Sequence, residues 1–288
     1  KIMVDIDPHE LNKFKRYDLN FDHLIHSDVK EFLGSMVEKT GDLNLSRIPD
    51  WLKTIDLWKK RYPICPESYY KEVAVNPYVF VKALAKESKE KDVICLDTGC
   101  AVAWMLQAFE FKKDQRLYHD FNNTAMGWAL PACIGASFAL DKKTITCVVG
   151  DGSLLMNLQE LATIAKHNLP IRIYLLNNNG YSMVQQTQDQ WLDSKYYGTS
   201  EKGGLVAPDF KKIAEAHGIK CLSVTRNDQI SKTIKIMNAY DGPIFCNIIL
   251  KPEHRVIPQV KYGAPNEDME PLLSRKEFLG NMVVKPLE

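Results

Sequence analysis

Thr144-Ile145-Thr146-Cys147-Val148-Val149-Gly150-Asp151-Gly152-Ser153 is an apolar, β-branched run that ends at two glycines flanking an aspartate, after which helical spacing sets in and lasts to His167. An apolar strand leading at once into a helix is half of a βαβ unit. The same alternation continues on both sides. A helix over 77–90 precedes Val93-Ile94-Cys95-Leu96, and a helix over about 127–140 precedes the quoted strand. Ile171-Arg172-Ile173-Tyr174-Leu175-Leu176 follows, then a helix over 208–217 and strands around Cys221-Leu222-Ser223 and from Ile244 to Leu250. Strands this apolar, separated by helices, predict an α/β fold: a parallel sheet with helices on both faces, spanning 77–250. Ligands of such sheets bind beyond the carboxyl ends of the strands, where Gly150 to Ser153 fall.

Outside that region the pattern changes. Residues 1–40 hold a short strand at Lys1 to Pro8, read as buried, and an amphipathic helix with Val29, Phe32, Leu33, Met36 and Val37 at helical spacing; they read as the end of a preceding α/β domain. Residues 41–76 carry a helix with Trp51, Leu52, Ile55 and Trp58, then Pro63 and Pro66, and read as a linker. Residues 251–288, with prolines at 252, 258, 265, 271 and 286, form a tail or lid, and Tyr181 to about Gly204 is a second lid candidate. A first residue that is lysine rather than methionine is taken as the mark of a piece of a longer chain.

Composition narrows the function. A length of 288 residues suggests two units or one large domain with a fragment attached, and a chain 45% apolar and 25% charged is globular, which excludes disorder or coiled coil. No apolar run reaches the roughly 18 residues of a membrane span. Net charge is +1, so no electrostatic footprint for nucleic acid exists. Seven cysteines without a CxxC pair read as reduced packing thiols of a cytoplasmic protein. The chain also lacks a GxxxxGK[ST] loop and a GxGxxG after a strand.

What remains is Gly150-Asp151-Gly152-Ser153. Glycines permit close backbone approach, amides at a helix start can bind a phosphate, and the carboxylate can hold a hard cation beside it. A polar turn that merely caps a helix would look the same. The next strand, however, ends in Asn177-Asn178-Asn179-Gly180, which puts Asn178 27 positions after Asp151 at the same edge of the neighbouring strand. A carboxylate, an amide oxygen and a backbone carbonyl, for which Gly180 is the candidate, form part of an octahedral Mg²⁺ shell that diphosphate and water would complete.

Gly-Asp-Gly, a spacer of about 25 residues and Asn-Asn resemble the thiamine diphosphate motif. The run from Gly150 to Gln186 is similar to acetolactate synthase and its relatives, as are Thr124-Ala125-Met126-Gly127-Trp128-Ala129-Leu130-Pro131-Ala132 and, for the end of that family's middle domain, Val4-Asp5-Ile6-Asp7-Pro8-His9-Glu10-Leu11-Asn12-Lys13. The resemblance covers residues 1 to about 255. It implies Asp151, Asn178 and Gly180 as metal ligands, and Gly150, Gly152 and Ser153 against the diphosphate. It also implies Met126 as the prop of a bent cofactor, the Thr124 backbone as acceptor for the pyrimidine, and Met183 in the cofactor wall. Gly99, Cys100 and Ala101 fall where the family often shows Gly-Gln-His, so contacts there would come from backbone amides. The implied cofactors are thiamine diphosphate and Mg²⁺, with room for FAD whose main site would lie outside this sequence.

The implied reaction is carboligation of 2-oxo acids, through decarboxylation to an enamine and attack on a second carbonyl. The alternatives are a nonoxidative 2-oxo acid decarboxylase and a noncatalytic cofactor-binding module. The family's Gln-Trp after Met-Val is absent: Met183-Val184-Gln185-Gln186 is followed by Thr187, and Trp191 is either a relocated pocket wall or a core anchor. No catalytic group is certain. His119 is the one candidate, while His167 reads as a helix cap and Glu160 as facing the metal side or solvent. The resemblance places the acid-base carboxylate in an amino-terminal domain of a second subunit, so this chain is expected to be incomplete and inactive alone, with at least a dimer as the working form.

Overall fold

A computed structural model of the chain describes residues 1–17, 19–42, 46 and 48–286. The chain divides into two units, Lys1–Tyr62 and Pro63–Glu288. The division falls between Tyr62 and Pro63, inside the stretch read as a linker, and puts the tryptophan helix Ile48–Arg61 in the first unit.

The first unit contains two parallel strands, β1 (Ile2–Asp5) and β2 (His23–His26), with Ile2 opposite His23. The helix Val29–Glu38 starts where the sequence places it, capped by the Asp28 carboxylate, which accepts from Lys30 N at 2.7 Å. Its apolar stripe is bare, with Leu33 53% and Val37 67% exposed. Trp51 and Trp58 meet edge to face at 5.5 Å on the helix Ile48–Arg61. Leu11 is the one buried side chain among the described residues of this unit, so the strand expected to be buried at residues 1–8 is half-exposed instead. Two short strands and three helices, one of them only the five residues Pro8–Asn12, supply too little surface to cover it.

The second unit is built on six parallel strands, β3 (Val93–Leu96), β4 (Arg116–Tyr118), β5 (Ile145–Gly150), β6 (Ile171–Asn177), β7 (Lys220–Val224) and β8 (Ile244–Ile249), in the order β4-β3-β5-β6-β8-β7. Side chains alternate between two cores, as strand geometry requires. Ile94, Leu96, Val148, Tyr174 and Ile248 face the helices Pro77–Glu87, Cys100–Ala108 and Ile230–Ala239. Cys95, Cys147, Val149, Ile173 and Phe245 face Ala129–Ala139, Glu160–Lys166 and Phe210–Ala216. All seven cysteines are free thiols, five of them buried. The sheet is therefore covered on both faces, as its continuous apolar strands predict.

Three details differ from the sequence reading. The helix after Ser153 is two helices, Asp151–Leu155 and Glu160–Lys166, separated by a turn at 156–159. Residues 63–76 belong to the second unit: Val75 bridges to Leu250, and the Asn227 side chain accepts from Asn76 N and donates to the Tyr69 and Glu72 carbonyls. The start of the tail is strapped down. Gln186 and Val256 exchange two hydrogen bonds of 2.9 and 3.0 Å, Tyr78 Oη donates to Ile257 O at 2.7 Å, and Gln107 donates to Pro258 O at 2.8 Å.

Candidate functional site

β3, β5 and β6 are neighbours, and their carboxyl ends open on one cavity of about 240 Å³. Each strand end contributes a turn to its wall. After β3 come Thr98, Gly99, Cys100 and Ala101; at the end of β5, Gly150 to Ser153; at the end of β6, Leu176, Asn178, Gly180, Tyr181, Ser182, Met183 and Val184; Met126 and Trp104 complete it. The helices Cys100–Ala108 and Asp151–Leu155 both begin at this wall, so amides without an intrahelical acceptor face it from two sides. Gly99 reaches its place with φ +83°, a conformation that favours glycine.

Asp151 is 4% exposed and makes the turns cohere. Its Oδ1 accepts from Gly152 N at 2.7 Å, and its Oδ2 accepts from Asn178 N at 3.1 Å and Gly180 N at 3.2 Å. Burial nevertheless pushes the carboxyl up to about 6, against the downward pull of those amides. It is the one charged side chain among the residues lining the cavity. Asn178 donates through Nδ2 to Ser182 Oγ at 2.5 Å, which fixes the carboxamide, and its Oδ1 is buried without a hydrogen-bond partner. A buried carboxylate short of positive charge and an orphaned amide oxygen on the adjoining turn are the donor set a hard cation takes. The residues present therefore fit Mg²⁺ beside a diphosphate.

Other sequence-predicted residues fall as follows. Gly99, Cys100, Met126, Gly150, Gly152, Ser153 and Met183 share the cavity wall with Asp151, Asn178 and Gly180. Burial pushes the Cys100 thiol up to about 12, so it is neutral there. Thr124 is not in the wall; it is exposed in a turn with φ +51°, its amide donating to Asp120 O at 2.7 Å. His119 is also outside the wall. Its Nδ1 is 2.9 Å from Leu96 O, its ring meets Phe121 edge to face at 4.7 Å, and its Nε2 is buried without a partner. His167 caps the helix Glu160–Lys166, as read. Trp191 is 55% exposed and packs on Tyr262 of the tail at 5.6 Å, so it is neither cavity wall nor core anchor.

Sequence reasoning missed Asp97, which is fully buried at the end of β3. Its carboxylate accepts from Thr98 N, Gly127 N and Ala129 N at 3.0, 3.1 and 2.9 Å and so anchors the Met126 segment. The Asn157 amide holds the same segment through Gly127 O. The available signal was an aspartate following an apolar strand, two positions before a glycine.

The family model described as thiamine pyrophosphate enzyme, C-terminal TPP binding domain, matches residues 97–248, more than half of the chain. The acetolactate synthase large subunit of Cyanidium caldarium is 31% identical over 284 residues, covering 97% of this chain and 47% of that protein. The chloroplastic acetolactate synthase 1 of Oryza sativa is 30% identical across 93% of this chain and 42% of its own length. The mitochondrial acetolactate synthase of Schizosaccharomyces pombe is 30% identical across 91% and 38%. The chain thus spans less than half the length of these curated relatives.

Proposed function

Because the chain belongs to the thiamine pyrophosphate enzyme family through its cofactor-binding domain, we propose that the cavity seats thiamine diphosphate with Mg²⁺ and that the whole protein carboligates 2-oxo acids as an acetolactate synthase does. The observation that carries the reading is the orphaned Asn178 Oδ1 beside the buried Asp151 carboxylate. These two atoms and the Gly180 carbonyl hold the cation. Amides of Ser153 and Cys100 oppose the diphosphate at the two helix starts, and Gly152, without a side chain, lets the backbone approach it. Since no lysine or arginine lines the cavity, the cation carries most of the neutralisation.

Thiamine diphosphate, when bound, supplies a carbon nucleophile and an electron sink for decarboxylation of a 2-oxo acid. This chain orients and desolvates it. Met126, held from behind by Asp97 and Asn157, is the prop, while Trp104, Met183 and Val184 form an apolar wall that excludes water. With Asp151 on the cation and the Cys100 thiol neutral, no carboxylate or imidazole of the wall is left to accept a proton. His119 faces the Leu96 carbonyl instead. By the resemblance to acetolactate synthases, the acid-base carboxylate comes from an amino-terminal domain of a second subunit, which makes the working form at least a dimer. The FAD that the resemblance leaves room for would have its main site outside this sequence.

The test is pyruvate consumption with thiamine diphosphate and Mg²⁺, by this chain alone and by the full-length protein. The reading predicts acetolactate from the full-length protein and none from the chain alone. Acetaldehyde instead would indicate a decarboxylase, and binding without consumption would indicate a noncatalytic module. Comparable rates per site would place the acid-base group within residues 1–288, with His119 the first to replace.

A further inference from the structure

The glycine of the Asp151 turn has a neighbour on the Asn178 turn. A Cβ built on Gly152 would stand 2.0 Å from Tyr181 Cε1 and 2.4 Å from its Cδ1, so the edge of the phenol ring rests on the Gly152 α-carbon. Ordinary carbon contacts are about 3.5–4.0 Å, which leaves no room for even a methyl group between them. Tyr181 is itself fixed. Its amide donates to Thr199 O at 3.0 Å, and its carbonyl accepts from Gln185 N at 2.9 Å as the helix Ser182–Trp191 begins. In the other direction, the Asp151 carboxylate holds the amides of Asn178 and Gly180.

The two turns are thus joined twice, by a carboxylate reaching one way and a ring reaching the other. The two links differ in what a ligand does to them. A cation on Asp151 competes for the oxygens that hold the amides, whereas the ring contact uses no atom a cation or anion can take. Close approach of a diphosphate is also insufficient to account for glycine at 152, because the ring occupies the side on which a Cβ would project.

We propose that Tyr181 is a positioning residue for the cation site: its ring, seated on Gly152, keeps the Asp151 carboxylate and the Asn178 oxygen at working separation when the cation loads. The proposal rests on the reading of the cavity as a Mg²⁺ and diphosphate seat. It requires the ring and not the hydroxyl.

The experiment combines Tyr181→Phe, Tyr181→Ala, Gly152→Ala and the double variant Gly152→Ala/Tyr181→Ala. Two quantities are read on each: the melting temperature without ligand, and the Mg²⁺ concentration at half-saturation in calorimetric titrations at fixed thiamine diphosphate. Tyr181→Phe should stay within about twofold of the unsubstituted Mg²⁺ midpoint, and Tyr181→Ala should raise that midpoint about tenfold or more, in the range seen when groups that orient metal ligands are removed. Gly152→Ala should melt lower, and the double variant should recover part of that loss. A Tyr181→Ala protein that melts lower but keeps the Mg²⁺ midpoint would overturn the positioning role, since a purely structural contact would do that. Strictly additive melting losses would overturn the ring-on-glycine contact itself. If the unsubstituted protein binds no thiamine diphosphate, the cofactor reading falls and takes the positioning role with it, while the melting series still decides the contact.

Discussion

β1 and β2 pair in parallel just as β5 and β6 do, yet the two pairs treat their side chains in opposite ways. Ile145, Cys147, Val149, Ile171 and Ile173 are fully buried, whereas Ile2 is 61% exposed and the neighbouring helix leaves Leu33 53% exposed. Parallel sheets are ordinarily covered by helices on both faces, and the second unit supplies six such helices, whereas among the described residues of the first only the short helix Pro8–Asn12 buries a side chain, Leu11. Pattern alone therefore predicts where strands and helices form, but not whether they are covered. The candidate site sits on the covered unit, where turns at three strand ends can be held rigidly enough to orient a ligand.

The comparison is broken or sharpened by substitution. Ile173→Ala removes a fully buried side chain between two helix-covered strands and should cost about 2–5 kcal/mol in denaturant unfolding. Leu33→Ala in the bare stripe should change the same transition by less than about 0.5 kcal/mol. Equal losses would mean that the first unit has a core of its own. Next in size, Ser182→Ala frees the Asn178 carboxamide and should weaken Mg²⁺-dependent binding of thiamine diphosphate by about 10-fold to 100-fold, with little change in unfolding. An unchanged titration would show that the Asn178 oxygen needs no orienting partner.

The smallest effect is one of pH. His254, where the tail is strapped, lies 3.5 Å from Glu72, but burial outweighs that attraction and holds its imidazole below the ordinary value of 6.5. The neutral ring is therefore the folded form, and its contribution is complete above pH 6.5 and lost as pH falls through the lower folded value. A melting temperature that declines below pH 6.5, with a decline made shallower by His254→Gln, is the expected result. An unchanged slope in that variant would remove His254 from the account.

How much of this was legible follows from local chemistry. β3, β5, β6 and β8 announce themselves because a buried parallel strand is apolar on both faces. β4 does not, since Arg116-Leu117-Tyr118 is three residues at a sheet edge. The helix Ile230–Ala239 is rich in β-branched Ile and Thr, which locally favour strand; packing on the helix Pro77–Glu87 decides it. The helix Cys100–Ala108 starts without a side-chain cap, so its start signal is missing. The metal donors were legible because Asp151 and Asn178 end adjacent strands at a fixed spacing. Asp97, Asn157 and Tyr181 were not, because each acts on a backbone that only the fold brings near.

The central claim is that this cavity binds a diphosphate through a cation held by Asp151 and Asn178. Calorimetric titration of thiamine diphosphate into the protein, with Mg²⁺ and then with EDTA, tests it most directly, with Asp151→Ala run beside it. The account predicts saturable binding with Mg²⁺, none with EDTA, and a loss of at least about 100-fold in Asp151→Ala, since truncating one partner of a buried charged contact costs about 3 kcal/mol or more. Equal affinity with EDTA, or full affinity in Asp151→Ala, would contradict it.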